Sequence, residues 1–339
     1  MISADMGFAD KNLGGILTVT RIQRKHAPGS MVHKLSHAIA AVLLASWCAV
    51  AFAAGIPTVG VRFLFDITGQ GAGGFLLPTD VAVSDDGRIY VVDGGNHRVV
   101  AYDRNGKYLL TIGRKGSGEG QFRDPVGVGT DGKGRVYVAD RSNHRIQVFD
   151  ANGRLQYAFP VVDEGVPISP IDVAADPSGS MIFVSGNNNH KLMIFAAPGK
   201  LLRQWGGNGE ASGQFRYPAS VVISPEGDIY VADALNSRVQ GFDLEGVLNI
   251  QVGTWGVLPG QLFRPKGVAL DGKKRIYISD SYMDVIQVYD NEGHFKHVLG
   301  HDGKPQRFVS VGGIAIGRDN RLYAAEILRN KISVYSLSD

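Results

Sequence analysis

One segment recurs six times along this chain, and that recurrence limits the possible fold more than any other feature. "DRSNHRIQVFD" at Asp140–Asp150 has near copies in "DGGNHRVVAYD" at Asp93–Asp103 and "DALNSRVQGFD" at Asp233–Asp243. Two independent markers set the period. The aromatic of the apolar run before each motif falls at Tyr90, Tyr137, Phe183, Tyr230, Tyr277 and Tyr323, in steps of 47, 46, 47, 47 and 46. The aromatic that ends each motif, at Tyr102, Phe149, Phe195, Phe242, Tyr289 and Tyr335, repeats the same five steps. A fixed period of this size means that each unit is one supersecondary element, burying its faces against its neighbours.

Each unit reads as four short strands. In the second, "VGVGTD" leads through a Gly-Lys-Gly turn to "RVYVAD", then through Ser142-Asn143 to "RIQVFD", then through Ala-Asn-Gly to "RLQYAFPVV". Runs rich in Val, Ile and Tyr, punctuated by Gly, Asn and Asp, signal a meander. "RVYV" is apolar without alternation, as expected of a strand covered on both faces. Four strands in roughly 40–50 residues make one propeller blade. The expected fold class is all-β, a six-bladed β-propeller of four-stranded antiparallel blades. The sixth unit ends at "KISVYSLSD", its third strand, and lacks a fourth. "VRFLFDITGQGAGGFLLPTDV" at Val61–Val81 parallels "KYLLTIGRKGSGEGQFRDPVGV" at Lys107–Val128. Val61–Ile67 is therefore expected to complete the last blade and latch the ring, leaving no long open edge.

"NHR" at Asn96–Arg98 and Asn143–Arg145, set in D-x-x-N-H-R-[hydrophobic]-x-x-[aromatic]-D, resembles the NHL repeat. "GQFRDP" at Gly120–Pro125 and "GQFRYP" at Gly213–Pro218 fit the same pattern. The resemblance covers 61–339 and implies the propeller fold. For function it implies less, because such repeats serve protein- and RNA-binding modules, extracellular sensor domains and a few enzymes. The units also differ among themselves. The third has Gly186 in place of the Asp and lacks the Gly-Gln-Phe lead-in; the fifth has Asp284-Val285 for His-Arg; the sixth has Glu326 for Asp and Val311 for Pro.

The first 53 residues are of another kind. From Met31, His33 and Lys34 precede an apolar run, Ala38–Phe52, that ends in Ala51-Phe52-Ala53. A positive start, a short apolar core and small residues around a cut site are the layout of a secretory signal. The core is too short to span a bilayer comfortably. The expected organisation is 1–30 upstream of a start at Met31, 31–53 as signal peptide cut near Ala53, and 54–339 as a single propeller, periplasmic or secreted. An uncleaved membrane anchor is the alternative. The one cysteine, Cys48, falls in the signal, so the mature chain would carry no disulfide. The leader also holds 5 of the 35 basic and 2 of the 32 acidic residues, leaving 30 of each. A neutral mature chain offers no general attraction to nucleic acid or an anionic membrane.

The basic position of the motif holds Arg98, Arg145, Lys191, Arg238 and Lys331, with Val285 in the fifth unit. In a propeller the turn between second and third strands shares a face with the link into the next blade. Those links carry Arg123, Arg216, Arg264 and Arg307. Two rings of cations at one mouth suit an anionic or polyhydroxyl ligand or an acidic partner surface. The opposing reading neutralises them with the carboxylate five residues earlier, at Asp93, Asp140, Asp233, Asp280 and Glu326. His97, His144 and His190 share one position in three successive units, and three converging imidazoles could hold zinc. The peptidylglycine lyase domain, a related six-bladed enzyme with histidine-bound zinc, resembles this outline. A metal-dependent lyase or lactonase-type hydrolase, using zinc or calcium, is thus the alternative function. Zinc–nitrogen bonds of ~2.0–2.1 Å are short against the spacing of neighbouring blades. The expectation is an exported, monomeric binding scaffold for a protein, peptide or carbohydrate, without metal, cofactor or catalysis.

Overall fold

The computed structural model describes residues 55–338. The segments read as upstream sequence and signal peptide, with Cys48 and the cut at Ala53, lie outside the described residues. Among the described residues no helix is long and apolar enough to cross a membrane.

Six antiparallel sheets follow one another as blades. Blade 2 is representative: Pro125–Thr130, Val136–Asp140, Arg145–Phe149 and Leu155–Pro160, innermost to outermost. The second strand is buried along its whole length in blades 1, 2, 4 and 5. That is the non-alternating pattern of "RVYV", and it arises because each blade is covered on both faces. The inner strands of the six blades are Pro78–Val83, Pro125–Thr130, Pro170–Ala175, Pro218–Ile223, Pro265–Leu270 and Val311–Ile316, and they line the axis.

Apolar side chains collect in six clusters, one at each contact between successive blades, including the contact of blade 6 with blade 1. The Gly-Gln-Phe lead-in supplies wedges: Phe122 and Phe215 are fully buried, each edge-on to the aromatic ending the motif, Phe149 and Phe242, at 5.8 Å. A buried phenylalanine contributes roughly 3 kcal/mol by area.

The ring closes as the repeat requires. Val61–Ile67 pairs antiparallel with Lys331–Leu337 as the outer strand of blade 6, from Val61 opposite Leu337 to Ile67 opposite Ile332. The N-terminal segment also reaches the neighbouring blade. Thr58–Val59 runs parallel to Val298–Leu299, outside the fourth strand of blade 5. One crossing segment thus spans two blades and covers the outer edge of blade 5.

Candidate functional site

The repeated motif folds as a hairpin staple. In blade 2, Asp140 is fully buried. Its Oδ1 accepts the Arg123 backbone N–H at 2.8 Å. Its Oδ2 accepts Asn143 Nδ2 at 2.8 Å, Arg145 Nε at 2.8 Å and Gln147 Nε2 at 3.1 Å. The far end of Arg145 donates to the carbonyls of Gly118 and Gln121 in its own lead-in, at 2.7 and 2.8 Å. Arg98 bridges Asp93 and Gly74 in the same way, and Arg238 bridges Asp233, Ala211 and Gln214. The guanidinium fork suits this bridging, because one end meets the carboxylate while the other reaches carbonyls.

The variant units keep the staple by other means. Blade 3 lacks the aspartate at Gly186, and Asp163 from its lead-in takes over. Asp163 pairs Lys191 at 2.8 Å and accepts from Asn189 and Gln204, and these bonds hold its carboxyl below the usual range against the upward push of partial burial. In blade 6, Lys331 lies between Asp66 at 2.9 Å and Glu326 at 3.3 Å. All five cations of the motif therefore face a carboxylate. Blade 5 is the exception: Asp280 is fully buried without a cationic partner among the described residues. It accepts four backbone amides, from Phe263, Arg264, Tyr282 and Met283.

The histidine column does something else. His97, His144, His190, Ser237, Asp284 and Asn330 hold one position, each left-handed with φ between 52° and 56°. Each bonds the incoming link of the next blade. His97 Nδ1 accepts the Asp124 N–H at 3.1 Å, and His190 Nδ1 accepts that of Tyr217 at 3.2 Å. His144 Nδ1 meets Ser169 Oγ at 3.3 Å. Asp284 and Asn330 accept the Ser310 and Leu77 amides, and Ser237 donates to the Phe263 carbonyl. His, Asn and Asp are the non-glycine residues that best tolerate this backbone, and all can accept a hydrogen bond. Among the described residues no three His, Cys, Asp or Glu side chains are placed to hold a metal ion.

The link arginines divide. Arg216 pairs Glu210 at 2.7 Å, and Arg307 donates to the Met283 carbonyl at 2.5 Å. Arg123 and Arg264 are exposed, with no side-chain hydrogen bond or ion pair among the described residues. Beside Arg264 lies a patch unlike any other hairpin of the ring. Phe263 stacks on Tyr282 at 4.0 Å and meets Trp255 at 6.1 Å. Trp255 is 72% exposed and Tyr282 62%. Val257, Leu258 and Met283 adjoin them, lining a groove of about 310 Å³.

At the axis, two residues beyond each strand-opening position, stand Asp80, Gly127, Asp172, Ser220, Gly267 and Gly313. Asp80 Oδ2 accepts the Val128 amide of the next blade at 2.9 Å, and Asp172 Oδ2 that of Val221 at 2.9 Å. The two carboxyls meet over Gly127, where a Cβ would stand 2.7 Å from Asp172 Oδ1. Burial raises both: Asp172 is pushed up to about 6, and Asp80 well above the ordinary carboxylate range, further raised by the charge of Asp172. A shared proton is the expected state of such a pair. One position nearer the mouth, the residues are Thr79, Val126, Ile171, Ala219, Lys266 and Gly312. Lys266 Nζ stands 5.5 Å over the Tyr217 ring. These residues, with Arg141, line a cavity of about 150 Å³.

The hairpin cations are paired with carboxylates, and the inner-strand column adds Lys266, Asp80 and Asp172 at the mouth. The signal is present in two adjacent sets of six aligned positions, one interrupted by Lys266 and the next by Asp80 and Asp172.

NHL-repeat models match residues 75–102, 122–149 and 215–242. A six-bladed beta-propeller model matches 267–339. A streptogramin B lyase structure superposes with a TM-score of 0.60 at 12% identity, covering 82% of this chain and 98% of that one. Virginiamycin B lyase from Staphylococcus aureus gives 0.56 at 13%, covering 81% and 98%. A protein of unknown function from Bacteroides thetaiotaomicron gives 0.64 at 14%, covering 84% and 75%. At these identities the likeness is one of fold.

Proposed function

We propose that this six-bladed propeller, built on NHL repeats, is an exported scaffold that binds a protein or peptide through the hairpin-and-link face, centred on blade 5. One observation carries this reading. The blade whose hairpin has lost its cation presents Trp255, Tyr282, Val257 and Leu258 to solvent, each more than half exposed. A contiguous apolar patch rimmed by polar residues marks an interaction surface. Trp, Tyr, Met and Arg are the residues enriched in interface cores and hot spots, and Arg264 and Arg307 flank the rings. A sugar platform would leave aromatic faces free and surround them with hydrogen-bonding groups. Here Phe263 and Tyr282 stack on each other and aliphatic side chains adjoin them.

The test is a side-by-side screen of displayed peptides and arrayed glycans with the wild type and the double variant Trp255→Ala, Tyr282→Ala. The expected result is peptide binding that the double variant weakens by about 2 kcal/mol or more, roughly thirtyfold. Glycan binding alone, lost in the same variant, overturns the partner class. Stoichiometric zinc or calcium in the purified protein, lost in His97→Ala, would replace the scaffold by the metal-dependent enzyme. Export rests on the 31–53 signal. N-terminal sequencing of the extracytoplasmic protein should begin next to Ala53, and an intact Met31 in the membrane fraction would support the anchor instead.

A further inference from the structure

We propose that the axial mouth on the hairpin face is a binding site for a small aliphatic carboxylate, held by Lys266 between Tyr217 and Arg141 above the Asp80–Asp172 pair.

Lys266 is the starting point. It is the one long cation in a ring of Thr79, Val126, Ile171, Ala219 and Gly312. It lines the cavity, and its ammonium lies over the Tyr217 ring at 5.5 Å. Among the described residues it has no hydrogen bond and no ion pair. The charges that act on it are repulsive: burial first, then Arg264, then Arg141, all pushing its ammonium below the ordinary lysine range. Arg141 is itself paired with Asp124, by an Nε–Oδ2 bond of 2.7 Å, and Arg264 is exposed. A half-buried ammonium without a counter-ion, beside two like charges, is an unfavourable arrangement that a bound anion relieves. The five hairpin cations each have such a counter-ion, and Lys266, on the inner strand and half-buried, has none among the described residues.

The rest of the cavity selects the anion. Its floor is the Asp80–Asp172 pair with Ser220 beside it. Once the pair holds one proton, it still carries negative charge, which disfavours a phosphate dianion and tolerates a monoanion. The pair keeps its shared proton between its own carboxyls and the Ser220 hydroxyl is bonded to Asp172, so the donors left to an oxygen of the guest are the Lys266 ammonium and the Arg141 guanidinium. Val126, Ile171, Ala219 and Ile327 give the walls an apolar character suited to a short hydrocarbon stem. A volume near 150 Å³ admits only a few heavy atoms. The ligand class is therefore a free short-chain monocarboxylate.

The test is calorimetry and saturation-transfer NMR on the full chain with n-butyrate, butyramide and inorganic phosphate. Saturable butyrate binding is expected, with little binding of the uncharged amide or of phosphate. Lys266→Met should weaken butyrate roughly tenfold or more, Lys266→Arg should retain most of it, and Lys296→Met on the outer strand of blade 5 should not change it. A melting curve for Lys266→Met like that of the wild type establishes that the lost binding is not lost fold. Lack of saturation up to about 50 mM butyrate, equal binding by Lys266→Met, or phosphate bound as well as butyrate would each overturn the proposal. Because Trp255 and Tyr282 take no part, failure here leaves the blade 5 partner surface standing, and the converse also holds.

Discussion

The hairpins and the axial girdle both bury carboxylates, but they do so on opposite terms. Asp93, Asp140 and Asp233 each sit against a guanidinium at 2.7–2.9 Å and use their remaining lone pairs on amides. Asp80 and Asp172 face each other, with amide donors but no cation bound to either carboxyl among the described residues. In the first setting the guanidinium opposes the cost of burial, which still raises Asp233 above the usual range, and the group is structural. In the second, desolvation and repulsion act together, and the group is left poised to take up a proton. The same residue type thus serves as a cation-paired staple at Asp93 and as half of a carboxyl pair at Asp80, both in blade 1. A run of charged residues in a repeat is a weak guide to function until its partners are known.

The strongest way to break this contrast is to remove one member of a staple. Asp140→Ala strands Arg145, Asn143 and Gln147 and frees the Arg123 amide, and should cost about 3–5 kcal/mol in urea unfolding. Asp280→Ala in blade 5 strands no cation. It should cost less, about 1–3 kcal/mol for its orphaned amides. Equal losses would mean that the cations contribute nothing distinctive. Arg145→Ala is intermediate, at about 2 kcal/mol, because Asn143, Gln147 and the Arg123 amide still satisfy Asp140. Asp280 shows that the side chain can be held in this position by four amides without a cation.

How far the amino-acid sequence reveals this molecule follows from the same division. The six-bladed ring and its latch at Val61–Ile67 are legible because periodicity reports main-chain pairing, and the two markers share one register. The staples are half legible: the five-residue spacing from Asp140 to Arg145 places them on facing hairpin positions. Asp163 replacing the missing aspartate of blade 3 is not legible, since it comes from a lead-in with no counterpart elsewhere. The Asp80–Asp172 contact is harder still. Each residue lies in its own unit, 92 positions apart, and only ring closure puts them together over Gly127. The parallel strand Thr58–Val59 is likewise silent, being too short to carry a pattern.

The girdle supplies a subtler, pH-dependent test. Its carboxyls take up protons more readily in the folded chain than in the unfolded one, because burial raises Asp172 to about 6 and lifts Asp80 well above the ordinary carboxylate range. Their contribution to stability is therefore full below about pH 4, where both states are protonated, and is lost as pH rises through about 6. The loss should be on the order of 3 kcal/mol, seen as a melting temperature that falls between pH 4 and pH 7. Asp172→Asn should flatten that dependence while leaving the hairpin staples intact. A wild-type profile that rises over the same interval would show that the pair is ionised and compensated, like the staples.

The smallest effect is expected where the two arrangements can be interconverted. Val285 occupies the cation position of blade 5 and is 6% exposed, opposite Asp280 across the hairpin. Val285→Arg would place a guanidinium beside that carboxylate, within reach of the Leu258 and Gln261 carbonyls that correspond to the lead-in acceptors of Arg145. The substitution gives up roughly 1.5–2 kcal/mol of aliphatic burial. It gains an ion pair whose attraction is largely offset by desolvation. Net stability should therefore move by less than about 1 kcal/mol in either direction. A gain well beyond that would mean that the staples stabilise the ring outright rather than compensating their own burial. In either case the lead-in carrying Trp255 should be drawn to the hairpin, so a loss of peptide binding at constant melting temperature would locate the recognition surface in the very blade that abandoned the motif.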